Sequence, residues 1–183
     1  MSDIDVLEGV LAKLEGLVAG VRPDQLDAPT PCPNFDVKAL DDHIVGLLGN
    51  FALGAQGHPV PDVGTDDPGQ AVHVRSEQIL DGWRRHGTDR EVSVMGSGPG
   101  MPGAAVLGMT IMEYVAHGSD LAMATGQPIP FTDDELGVAL ARGEATLRDD
   151  YRGDAFGPRL DVSADAPVRD RFLAFMGRKA PDS

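Results

Sequence analysis

Glu113 and His117 lie four residues apart in a segment, about Gly103 to Thr125, that is otherwise almost wholly apolar. At helical spacing they share one face, about a turn from each other. A carboxylate in that setting has to be compensated, because burying it alone costs several kcal/mol or shifts its protonation. Two readings meet that need: the pair satisfies itself inside a core, or the carboxylate oxygen and an imidazole nitrogen converge on one cation at about 2.0–2.2 Å. A lone E-x-x-x-H does not decide between them. His43 strengthens the second, because the pattern Leu40, His43, Leu47 and Asn50 sets it on the buried stripe of another helix. Two histidines and a glutamate make a three-ligand set that leaves a coordination position for water or substrate, as catalytic sites do. Asp120 continues the face of His117, either orienting that ring by a hydrogen bond or serving as an ordinary surface carboxylate.

These residues need helices to hold them. Leu7, Val10, Leu11, Leu14, Leu17, Val18 and Val21 form one stripe of a first helix that Arg22-Pro23 ends. After a proline-rich connection, Asp36 caps the helix carrying His43. Asp67-Pro68 starts a third, through Val72, Ile79, Leu80 and Trp83, with Gly87 closing it. Glu91 to Met95 alternates as a short strand would, and a glycine-rich run from Gly96 to Gly103 precedes the fourth helix. That helix is apolar nearly all round, as a central bundle helix should be, and Gly126 and Pro128 stop it. Thr132 to Glu135 reads as a capping box opening a fifth, with Leu136, Leu140, Leu147 and Tyr151 inward. Val168, Phe172, Phe175 and Met176 mark a short amphipathic end. The expectation is all-α: one domain over 1–183, a four-helix bundle with a short additional C-terminal helix, the tail from 152 packing on or extending from it.

Composition narrows the function. Lys and Arg number 15 against 29 Asp and Glu, a net charge of −14, which repels nucleic-acid backbones and anionic membrane surfaces. The acidic start, the lack of an apolar stretch long enough to span a bilayer and the single cysteine point to the cytoplasm. Cys32, between two prolines, is read as a small buried hydrophobe. His58 and His86 are read as surface residues, and His73 as the reserve ligand should Glu113 turn away. Residues 98–103 match G-x-G-x-x-G, but no βαβ unit surrounds them, so a flexible connection is expected there. The acidic runs Asp66-Asp67 and Asp133 to Glu135 are N-cap chemistry, and Asp149-Asp150 a solvated face.

Thr30-Pro31-Cys32-Pro33-Asn34-Phe35-Asp36-Val37, His43-Ile44-Val45-Gly46, Glu113-Tyr114-Val115-Ala116-His117, Asp120-Leu121-Ala122 and Ala124-Thr125-Gly126-Gln127 resemble the DinB-like superfamily, in its actinobacterial mycothiol-dependent maleylpyruvate isomerase branch. The resemblance implies a four-helix bundle holding one divalent metal, usually zinc, on His43, Glu113 and His117. It also implies a thiol-dependent transferase or isomerase-like activity with mycothiol as cosubstrate, an electrophilic small-molecule substrate, and a homodimer. Relatives commonly carry Trp where this chain has Phe35 and Ser119, which reshapes the expected pocket. The isomerase proper has a further catalytic domain that 183 residues do not accommodate, so its own reaction is not the expectation. A metal-binding regulatory or ligand-binding module is the alternative, and a bundle that has lost its metal site the third reading.

Overall fold

The computed structural model describes residues 2–94, 100–152 and 156–180, and the Tyr151 side chain and Met95 fall outside the described atoms. It is mostly helical. Helices α1 (Asp3–Ala19), α2 (Val37–Gln56), α3 (Pro68–His86) and α4 (Gly103–Thr125) are followed by α5 (Asp133–Thr146) and a short α6 (Val168–Phe175). The only strands among the described residues are β1 (Glu91–Val92) and β2 (Met101–Pro102), which pair antiparallel. The expected strand is therefore cut to two residues; its end at Met95 and the glycines 96–98 lie outside the described residues.

Helices α1 to α4 form the bundle. α3 packs on α1 and α2, α4 packs on the same two helices, α5 covers α4, and α6 packs on α5. Local chemistry sets the ends. Ser2 with Asp5 and Thr132 with Glu135 form capping boxes, and Asp36 and Asp67 accept from Ala39 and Gln70 backbone N–H groups. Lys13 of α1 donates to both Glu135 oxygens at 2.5 and 2.6 Å, so the cap of α5 also ties α5 to α1. No helix among the described residues is long and apolar enough to cross a membrane.

The buried face of α2 differs from the expected stripe. Leu40, Ile44, Leu48 and Phe51 fill the core, whereas His43, Leu47 and Asn50 are only partly buried. Large aliphatic and aromatic groups at i, i+4, i+8 and i+11 bury more apolar area than the stripe beginning with His43, and the helix rotates to place them inward. His43 is left on the flank, facing α4. Helix α5 also ends sooner than expected: Leu147 is its buried C-cap, and Tyr151 belongs to a separate 3-10 turn.

The same rotation buries Asp41 to 5% exposure, where burial and the neighbouring Asp42 charge push its carboxyl up to about 7. A carboxyl raised in the folded state stabilises the fold below its unfolded pKa, and that contribution is lost as pH rises through the folded value. The Asp41→Asn variant should therefore gain thermal stability relative to wild type as pH rises from about 4 to about 7. A difference that stays constant across that range in calorimetry would contradict the assignment.

The α2–α3 crossing depends on Gly82, where an added Cβ would stand 2.7 and 2.9 Å from the carbonyl carbon and oxygen of Ala55. Gly82→Ala should cost about 1–3 kcal/mol in urea unfolding. Gly46, an exposed α2 position with nothing within 4 Å, should instead gain about 0.5–1 kcal/mol as Ala.

Candidate metal centre

The loop before α2 builds one wall of the site. Thr30 Oγ1 donates toward the Cys32 and Phe35 carbonyls at 3.0 and 2.8 Å, and Pro29 and Asp36 form an isolated bridge. Held in this way, Phe35 stacks on His43 with ring centroids 4.7 Å apart and planes 25° from parallel. On its other side His43 meets His117 of α4 edge-on, at 4.9 Å and 84°. Nε2 of His117 is 3.3 Å from Glu113 Oε2. The i, i+4 pair and the α2 histidine therefore come together, with His117 buried and Glu113 and His43 on the solvent side.

Burial, with His117 next in importance, holds the His43 imidazole below its ordinary pKa, so it is neutral at pH 7, the form that ligates metal. Among the described residues no three His, Cys, Asp or Glu side chains already stand in a ligating arrangement. The donor chemistry nonetheless fits a divalent cation: two imidazoles and one carboxylate face one another. His117 Nδ1, enclosed and without a hydrogen-bond partner, lies 3.9 Å from Asp120 Oδ2, on the side where a ligand histidine usually meets a carboxylate.

Asp120 is neither of the things its sequence position suggests. It is fully buried, and at 3.9 Å it makes no hydrogen bond to His117. Instead it accepts two bonds from Arg178, Nε to Oδ1 at 3.0 Å and Nη2 to Oδ2 at 2.8 Å. Arg178 also donates to the Met176 carbonyl at 2.6 Å and bonds the Cys32 thiol. The guanidinium reaches this place because Gly177 adopts φ 76°, and the Arg178 N–H closes the end of α6 on the Leu173 carbonyl at 2.8 Å.

Sequence reasoning missed Arg178. A single arginine after an amphipathic run carries no sign that it is buried; the only available signal was an ionisable residue in a buried helix face needing a counter-charge. Cys32 is buried as expected, and burial and Asp120 push its thiol up, so it stays protonated. Ser119 does not reach the site, since its hydroxyl donates back to the Val115 carbonyl at 2.6 Å. His73 is corrected as a reserve ligand: it is exposed and pairs with Glu15 at 3.0 Å, because the stripe of α3 turns Val72 and Ser76 inward instead. His58 and His86 are exposed.

The comparisons with known proteins agree with this architecture. The chain belongs to the mycothiol maleylpyruvate isomerase N-terminal domain family, which matches residues 7–122 and so takes in His43, Glu113, His117 and Asp120. It is 30% identical over 168 residues to the uncharacterized protein Rv0738 of Mycobacterium tuberculosis strain H37Rv, with 88% of this chain and 90% of that one covered. The uncharacterized protein MT0763 of Mycobacterium tuberculosis strain CDC 1551 matches to the same extent. No solved structure matches the chain.

Removing only the cation of the Arg178–Asp120 pair leaves a carboxylate enclosed beside His117. Arg178→Met should therefore destabilise the fold by about 3–5 kcal/mol in urea unfolding, whereas Asp120→Leu combined with Arg178→Met should recover most of that loss. Equal losses in the single and double variants would mean that packing, not charge, holds the tail.

Proposed function

We propose that His43, Glu113 and His117 hold one divalent cation, zinc by the donor set, and that the chain is a transferase or isomerase-like enzyme using a low-molecular-weight thiol such as mycothiol. The observation that carries this reading is the meeting of two imidazoles and a carboxylate from α2 and α4 at the solvent side of the bundle. When bound, the cation supplies Lewis acidity that lowers the pKa of a thiol sulfur.

The chain's own residues do the remaining work. Glu113 brings one negative charge against two positive ones, so the centre stays cationic and favours an anionic sulfur. Phe35 covers one face of the His43 ring, fixing its plane and excluding water from that side. Asp120, immobilised by Arg178 with Oδ2 3.9 Å from His117 Nδ1, places its negative charge on that side of the ring and would favour the proton on Nδ1 when Nε2 turns its lone pair to the cation beside Glu113. Cys32, kept a protonated thiol by burial, supplies no competing thiolate, in keeping with a nucleophile that comes from the cosubstrate.

Elemental analysis of protein purified without chelator or nickel resin should find one divalent metal per chain. His43→Ala and His117→Ala should lose most of it, and Glu113→Gln should weaken binding by more than the roughly 10–100-fold typical of an outer-shell partner. Full occupancy in the double histidine variant would overturn the ligand set. With cobalt in the site, titration with mycothiol should raise a sulfur-to-metal charge-transfer band at a pH below the free thiol's pKa. Metal binding without that band, and without thermal protection by the thiol, would leave the binding module.

A further inference from the structure

One ionisable group on α2, Asp41, is buried with no ion-pair partner among the described residues. Asp41 is 5% exposed, and its Oδ1 is enclosed with no hydrogen-bond partner. It lines a cavity of about 250 Å³ between α2, the start of α3 and the loop that joins them. Asp42, Asp66 and Asp67 line the same cavity, with Val45 and Val63 among its apolar walls, and no basic side chain contributes to it. The nearby cations are committed elsewhere. Lys38 donates to Asp42 at 2.7 Å, and Arg22, in the adjoining cleft that Asp41 and Asp67 also line, pairs with Asp24 at 3.2 Å.

A buried carboxylate oxygen with no donor is costly unless the group takes up a proton or a ligand supplies the donor, and a cationic ligand can do so while the carboxylate stays charged. The cavity's shape and chemistry decide which ligand. A divalent metal needs several oxygens converging at about 2.0–2.6 Å, and among the described residues no such group exists. Asp42 is taken by Lys38, and Asp67 Oδ1 accepts the Gln70 N–H at 2.7 Å as the cap of α3. The space is also far larger than an ion, and its valine walls offer nothing to a hydrated one. We propose that this cavity binds a small organic cation, an ammonium group on a short apolar body, with Asp41 as its counter-charge at the floor and Asp66 at the rim. The site is separate from the histidine centre and does not depend on its metal.

The test uses the full chain and n-butylammonium chloride as probe, with n-butanol as a neutral control of the same body, followed by calorimetry and by NMR of the Val45 and Val63 methyls. Saturable one-to-one binding is expected for the ammonium and none for the alcohol. Asp41→Asn, which keeps size and removes charge, should weaken binding about tenfold or more, the worth of a charge-assisted hydrogen bond. Asp66→Asn, at an exposed position that cannot threaten the fold, should weaken it by a smaller factor. The proposal is overturned by the absence of saturable ammonium binding, by equal binding in both Asn variants, which is diffuse attraction to an acidic protein, or by magnesium or calcium displacing the probe stoichiometrically.

Discussion

A helix buried over most of its surface can carry charge only where a counter-group answers it, and α4 carries Glu113, His117 and Asp120 within two turns. They are answered in two places. Glu113 and His117 answer each other with His43 of α2 beside them, and Asp120 is answered by Arg178 from beyond the last helix. The fold can be read outward from that constraint: α2 must lie against α4 on the histidine side, and the tail must return past α5 to reach the aspartate. The outer layer therefore does more than cover apolar surface, because it delivers the cation that makes the inner helix tenable.

The helices were legible because their signals are local. Caps at Asp36, Asp67 and Thr132, the breaks at Gly87 and Gly126, and the all-apolar α4 are each written within a few residues. The meeting of His43 with Glu113 and His117 was legible from residue type and resemblance together. What the sequence hid depends on competition between faces or on distant pairing. The stripe read for α2 ran through Leu40, His43, Leu47 and Asn50, and only the packing of Ile44, Leu48 and Phe51 decides that His43 sits on the flank and Asp41 inside. Arg178 and Asp120 are 58 residues apart, and no local pattern links them.

Cys32 shows how the loop, the tail and the site depend on one another. Its burial follows from the folded Pro-Cys-Pro-Asn loop that Thr30 pins, and the same loop presents Phe35 to His43. Its thiol also touches Arg178, so the guanidinium that compensates Asp120 anchors the wall opposite His117 as well. The tail thus borders both histidines, His117 through Asp120 at 3.9 Å and His43 through the loop that presents Phe35.

Helix α2 carries polar groups to opposite sides of one wall. Asp41 and His43 are two residues apart, a rotation of about 200° on an α-helix, so they cannot face the same space. His43 looks toward α4 and the imidazole of His117, whereas Asp41 lines the cleft at the start of α3. The apolar residues between these faces, Leu40, Ile44 and Leu48, are fully buried and hold the helix in the single rotation that serves both. Turning α2 by one residue to bury His43 fully would expose Asp41 and draw Ile44 out of the core. The flanking position of the histidine is therefore the compromise that lets one helix complete the bundle, meet the α4 ligand pair and carry an unpaired carboxylate on its far side.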